Sequence, residues 1–408
     1  MAPEGGEART SARPAGAEAL AGRHDFALPL VSVIVTAHNY GRFLEAAIAS
    51  VLGQSYRDVE CIVVDDGSSD ETAAVLEAAE GRVLAIRNPR PLGQGVASRV
   101  GFEASRGQYV VFMDGDDVLG PDFVRDHVYV NLSSRVAVGC TSSDIYQAVD
   151  GRLVLALGEA LNGALMEPAP ERLNAFRPLA PAPEGPWPYD GPGAALLEGV
   201  RHAPPGRTRW VWSPMTANMF RRDALTLFVG YDGLDGMRLS TDVYLCTGVS
   251  VLCGSLLIDK SLSYYRIHGA NCGTYQAQLS NVRSVRAESE LSRRAKERLI
   301  EHMTSQAPAI CARLWTPDPL LGALEALEAD LGERGDGSHL AGCVERHWQG
   351  LAAAVGEARL TEWNAPRAPP PSPPTASTAA AIGPVYRAIL PGRPLANATW
   401  GYPIHDPG

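Results

Sequence analysis

The chain has 408 residues, 45% of them hydrophobic and 20% charged, which is enough to bury at least one sizeable core. Its net charge of −10 leaves no basic surplus to neutralise phosphates, so a nucleic-acid partner is excluded. The seven cysteines (61, 140, 246, 253, 272, 311 and 343) are odd in number and form no Cys-x-x-Cys pair, so they read as free thiols in a reducing compartment.

Residues 1–28 have the composition of a flexible leader and lack a signal-peptide apolar core. No stretch approaches the roughly 18 consecutive apolar residues of a membrane span, so a cytoplasmic protein without a transmembrane segment is expected. From there strand and helix patterns alternate. Leu30–Thr36 reads as a buried strand, Tyr40–Gln54 as an amphipathic helix and Val59–Val64 as a second strand. Glu71–Ala79 follows as a helix, with Ser68 or Ser69 as its expected N-cap. Arg82–Arg87 is a third strand, Val96–Ala104 a helix, and Gln108–Met113 a fourth strand. Such alternation with short loops predicts an α/β fold with a doubly wound, mostly parallel sheet.

Beyond residue 120 the pattern turns mixed. Residues 165–210 are rich in Pro, Gly and Ala and read as a long loop region beside Trp187, Trp210 and Trp212. Residues 282–360 read as helical, offering a face for a homodimer, and the six prolines between Ala365 and Thr378 mark a linker or extended tail. The expected divisions are 1–28, 29–275, 276–363 and 364–408.

The chemistry gathers where strands end. Tyr109–Met113 runs straight into Asp114-Gly115-Asp116-Asp117. Three carboxylates in four residues repel one another on a kcal scale, and hard oxygen ligands suit Mg²⁺ or Mn²⁺. The carboxyl end of a parallel strand is also where open α/β sheets bind ligands. Taken alone, an acidic turn with Gly115 at positive φ is the competing reading.

Val35-Thr36-Ala37-His38-Asn39 closes the first strand and Val64-Asp65-Asp66-Gly67-Ser68 the second. The Asp114–Asp117 cluster, Ser240-Thr241-Asp242, and Tyr264-Tyr265-Arg266-Ile267-His268-Gly269-Ala270-Asn271 follow in order. In this succession the chain resembles the family 2 glycosyltransferases, nucleotide-sugar-dependent enzymes of the GT-A fold, over roughly residues 30–275. The resemblance implies an inverting transfer of a single sugar from a nucleoside-diphosphate sugar, UDP-sugars favoured, to an acceptor hydroxyl. A glycan, a lipid-linked intermediate, a peptide or a small natural product fits as acceptor.

By the same resemblance Thr36, His38 and Asp66 hold the nucleotide, joined by Asp114 and Arg99. Asp116 and His268 face an Mn²⁺ or Mg²⁺ cofactor, and Asp242 is the base. Trp210 and Trp212 lie where the family builds its acceptor site. Two departures stand out. Thr241 replaces the Glu of the family's Glu-Asp pair, and Ala97-Ser98-Arg99 replaces Ala-Arg-Asn. The Gln-x-x-Arg-Trp motif of processive members is absent. The alternatives are a non-catalytic sugar-nucleotide binder, which Thr241 leaves open, and a nucleotidyltransferase, whose Gly-rich basic loop Thr36–Tyr40 does not match.

Overall fold

A computed structural model describes residues 27–154, 176, 178–179, 186–231, 234–235, 237, 240–269, 271, 290–332 and 338–365. The expected leader up to residue 26, residues 165–175, 177 and 180–185 of the Pro-rich loop region and nearly all of the tail lie outside the described residues; the rest of that region, expected to be irregular, carries a short helix (Gly193–Glu198) and a strand (Val200–Ala203).

The first half follows the alternating pattern. β1 (Val31–Ala37), α1 (Gly41–Leu52), β2 (Val59–Asp65), α2 (Thr72–Ala78), β3 (Leu84–Arg87), α3 (Gln94–Ala104) and β4 (Tyr109–Asp114) succeed one another. The four strands are mutually parallel in the order β3-β2-β1-β4. β1 is buried along its whole length, as expected of a strand covered on both faces. Leu44, Ala47, Ile48 and Val51 recur at helical spacing and pack α1 into the main core. Burial of each larger side chain stabilises by about 1.5–3 kcal/mol.

The expected serine N-cap of α2 is not found. Ser68 Oγ instead accepts the Asn39 N–H at 2.9 Å, and Asp70 takes the Thr72 N–H at 3.0 Å and the Gly41 N–H at 2.9 Å. One carboxylate therefore serves the starts of two helices, where negative charge is favoured.

The second half is mixed. It runs through β5 (Val118–Leu119), α4 (Phe123–Ser133), β6 (Cys140–Val149), β7 (Arg152–Leu153), α5 (Gly193–Glu198) and β8 (Val200–Ala203). A 3₁₀ turn (Met215–Ala217), β9 (Asn218–Arg221), α6 (Arg222–Leu225), α7 (Thr241–Cys253) and β10 (Ser255–Ile267) complete the sheet region. The sheet order is β3-β2-β1-β4-β9-β6-β10-β5, with β7 on β6 and β8 on β10. β9 is antiparallel to both β4 and β6, and β10 is parallel to β6. Six strands therefore point the same way, and Ala37, Asp65, Arg87, Asp114, Val149 and Ile267 end on one edge of the sheet. β10 carries register shifts between Ile258 and Ser263, pairing with β8 before them and with β5 after them. The bend lets its last residues reach the turn that follows β4.

Five helices follow: α8 (Glu290–Ser305), α9 (Ala307–Cys311), α10 (Asp318–Leu331), α11 (His339–Val355) and α12 (Glu357–Trp363). They form the expected C-terminal helical extension. α8 lies against α7, where the Tyr244 hydroxyl hydrogen-bonds His302 Nδ1 and Tyr231 stacks on the same imidazole at 4.1 Å. The chain through Leu360 clusters as one compact unit, and a second begins at Thr361, described only to Ala365. Among the described residues no helix is long and apolar enough to cross a membrane.

Candidate active site

The site builds from the turn after β4. Asp114 ends the strand in register with Thr36 of β1. Gly115 does not take the left-handed conformation that an isolated acidic turn predicts. Its constraint is proximity, because a Cβ there would lie 3.0 Å from the Thr36 carbonyl oxygen, which the Gly115 N–H bonds at 2.9 Å. The carboxylates of Asp114, Asp116 and Asp117 each bring an oxygen within 4.8 Å of the others.

Their environments differ sharply. Asp117 is fully buried and internally satisfied, accepting from Thr216 Oγ1 at 2.6 Å and from the Arg266 N–H at 3.1 Å. Burial, then the charges of Asp116 and Asp114, raise its pKa well above the usual carboxylate range. It fastens β10 and the 3₁₀ turn to the acidic loop. Asp116 Oδ2 meets His268 Nε2 at 3.0 Å and Asn271 Nδ2 at 3.5 Å. Asp114 accepts one side-chain hydrogen bond, from Gln94 Nε2 at 2.8 Å. Burial foremost, then the charges of Asp116 and Asp242, push its carboxyl up to about 7.

This donor set fits a hard divalent cation. The carboxylates of Asp114 and Asp116 crowd together with few donors, and the unfavourable charge on Asp114 is what a cation relieves. His268, oriented by stacking on Phe43 at 4.3 Å, meets Asp116 and is not one of the three residues whose ligand atoms all lie within 4.8 Å of one another. Its backbone N–H is fixed by Asn271 Oδ1 at 2.8 Å.

Asp242 stands in the first turn of α7, half-buried, its Oδ1 accepting the Val243 N–H at 2.8 Å. Burial raises its pKa, and its charge is felt at Asp114. Ser240 before it adopts φ +63°, a left-handed turn that starts α7 abruptly.

Asp66 is heavily committed within the chain. Its carboxylate accepts from Asn88 Nδ2 at 2.7 Å, from the Gly93 N–H at 2.8 Å, and from the Leu92 N–H at 3.0 Å. It thereby shapes the loop between β3 and α3. Gly67 permits that approach, since at φ +67° its Cβ would lie 2.5 Å from the Arg90 backbone. His38 is exposed, with Nδ1 donating to the Asp66 carbonyl at 2.9 Å, and Thr36 is nearly buried at the adjoining end of β1.

Two residues expected at the site are engaged elsewhere. Arg99 pairs with Asp235 at 2.6 Å and lies near Glu103 at 3.7 Å, tying α3 to the segment before α7. Trp212 is 0% exposed and donates its indole N–H to Ser255 Oγ at 2.9 Å, so no face of it is open to an acceptor. Only Trp210, packed edge-on against Trp212, reaches the surface, at 36% exposure. Gln94 and Thr216 contact the cluster without having been singled out. Gln94 stands at the start of the helix after a Pro-Leu-Gly break, a weak signal for a residue facing the strand ends, while Thr216 had no sequence signal.

Residues 32–174 match the model of glycosyl transferase family 2. An uncharacterized glycosyltransferase of Nostoc sp. is 29% identical over 250 residues, covering 59% of this chain and 66% of that protein. The UDP-Glc:alpha-D-GlcNAc-diphosphoundecaprenol beta-1,3-glucosyltransferase WfaP of Escherichia coli is 32% identical over 110 residues, covering 27% of this chain and 44% of WfaP. The chain thus spans less than two thirds of either relative. The crystal structure of S. aureus TarS superposes with a TM-score of 0.44 at 15% identity, over 75% of this chain and 44% of that one.

Proposed function

From the match of residues 32–174 to the model of glycosyl transferase family 2, we propose that this chain transfers a single sugar from a nucleoside-diphosphate sugar to an acceptor hydroxyl with inversion. The observation that carries the reading is the acidic turn after β4, where Asp114 and Asp116 face one another with few internal donors. A bound Mn²⁺ or Mg²⁺ there neutralises the negative charge that develops on a departing nucleoside diphosphate.

The remaining roles belong to the chain's own groups. Asp116 and His268 hold the cation, and Asp114 meets the ribose side with Gln94 fixing its carboxylate. Thr36 and His38 border the base, with Asp66 shaping the loop opposite them. Asp242 takes the proton of the acceptor hydroxyl, and its raised pKa makes it a stronger base than an exposed aspartate. A UDP-sugar is the favoured donor, in keeping with the UDP-Glc of the E. coli relative.

A thermal-shift screen of UDP-, GDP- and dTDP-sugars with and without Mn²⁺ tests this reading. A donor at about 100 times its Kd stabilises the native state by about 2.7 kcal/mol, so the right one stands out, and only with the metal. Asp242→Asn should keep donor and Mn²⁺ binding while losing at least about 10²-fold in turnover. Unchanged turnover would remove Asp242 from the mechanism. Donor binding with no turnover in the wild-type chain would favour a non-catalytic partner protein, the alternative that Thr241 leaves open.

A further inference from the structure

Beside the acidic turn, the ends of β6 and β10 and the start of α1 enclose an open cleft of about 280 Å³. Arg42, Phe43, Asp150, Arg266 and His268 line it. Arg42 is exposed and makes no hydrogen bond or ion pair among the described residues; its guanidinium rests 4.4 Å from the centroid of the Phe43 ring. The Arg266 guanidinium lies 5.0 Å from the same ring. Nε and Nη2 of Arg266 donate to the carbonyls of Asp116, Phe43 and Asp117, leaving Nη1 without a partner among the described residues. His268 is nine-tenths buried, and its Nδ1 has no hydrogen-bond partner. Asp150, on the exposed turn after β6, is the sole carboxylate in the lining.

We propose that this cleft is a subsite for a phosphate group carried by the acceptor. The inference rests on the sugar-transfer reading for the word acceptor, and on the cleft itself for the anion. Within the lining, two guanidinium groups and the unpartnered imidazole Nδ1 offer donors to an anion against one exposed carboxylate, while Asp116 and Asp117 lie behind His268 and Arg266. Planar guanidinium groups match phosphate oxygens bidentately. The Phe43 ring holds both of them by cation–π contact, so less side-chain freedom is lost when an anion binds. The subsite touches the cation side through His268 but lies apart from the residues set at the nucleoside. The cleft adjoins β6 and β10, whereas Asp66, His38 and Gln94 stand at the ends of β1 and β2 and the start of α3, across β4 and β9 in the sheet order.

The test is calorimetric titration of methyl phosphate into the full chain already saturated with UDP and Mg²⁺. Saturable binding is expected, weakened at least about tenfold by Arg42→Gln, an exposed position whose replacement disturbs no packing. The UDP affinity of the same variant should move less than about twofold. Methyl phosphate that binds only when UDP is absent would assign the anion to the donor's diphosphate and overturn the proposal. Equal binding of methyl glucoside, or an unchanged Arg42→Gln, would also overturn it. If the wild-type chain binds none of UDP, GDP and dTDP, the sugar-transfer reading fails by itself. The cleft is then judged by methyl phosphate titrated into the free chain, where Arg42→Gln must still weaken binding at least about tenfold.

Discussion

Two acidic strand ends stand one strand apart in this sheet, Asp65-Asp66 after β2 and Asp114–Asp117 after β4. They look alike as sequence and are opposite as structure. Asp65 accepts the Ser68 N–H and meets Arg87 at 3.3 Å, while Asp66 collects a side-chain amide and two backbone N–H groups. At β4 only Asp117 is satisfied in that way, and the charge on Asp114 is so disfavoured that its carboxyl rises to about 7. A carboxylate saturated by its own chain is architecture. One crowded by like charges with few donors is built for a cation from outside.

Substitutions can break or sharpen that contrast. The largest effect is expected at Asp116. Asp116→Asn should lower metal-dependent donor turnover by about 10³-fold. It should also leave the melting temperature of the metal-free chain unchanged or higher, because a repulsion is removed. A lowered melting temperature with normal turnover would reverse the assignment of the two strand ends.

Asp66→Ala should do the opposite. Losing a charged acceptor for three donors is expected to cost about 3 kcal/mol in denaturant unfolding. A loss of donor affinity without any loss of stability would show that the carboxylate works on the ligand and not on its loop.

A smaller, pH-dependent difference follows from Asp114. Its folded pKa is raised from 3.8 to about 7, by burial first and then by the charges of Asp116 and Asp242. Between those values the native chain holds a proton that the unfolded chain has released. Stability contributed by the protonated carboxyl is therefore full below pH 3.8 and is lost as the pH rises through about 7. Melting curves of the metal-free wild type and of Asp114→Asn across this window should show the wild type losing ground as pH increases. A parallel pair of curves would mean that Asp114 is not shifted. The smallest effect is expected at Arg99, whose partner Asp235 is half-exposed. Arg99→Gln should cost no more than about 1 kcal/mol and leave donor KM unchanged.

These contrasts also mark what the sequence carries by itself. Parallel strands announce themselves through runs such as Val31–Val35 and Val110–Met113, and their carboxyl ends locate Thr36, Asp66 and Asp114. The neighbourhood of Asp116 and His268 followed from the order of the motifs, although more than a hundred residues separate them. Donor counts did not follow. Asp66 and Asp116 differ because backbone N–H groups of Leu92 and Gly93 fold over one and not the other, and backbone donors leave no trace in side-chain identity. Trp212 illustrates a second blind spot. Its indole N–H is met by Ser255, 43 residues later on a different element, and an aromatic residue in a Pro-rich stretch reads equally well as ligand platform or core. Thr216 was invisible for the same reason, reaching Asp117 across 99 residues.

The role proposed for Asp116 is to hold a divalent cation for a nucleoside diphosphate. Mn²⁺ binding followed by electron paramagnetic resonance, with and without UDP, tests it directly in the wild type and in Asp116→Asn. UDP is expected to tighten Mn²⁺ binding to the wild type, and Asp116→Asn to lose the bound-ion signal. A variant that binds Mn²⁺ and UDP as the wild type does would contradict it.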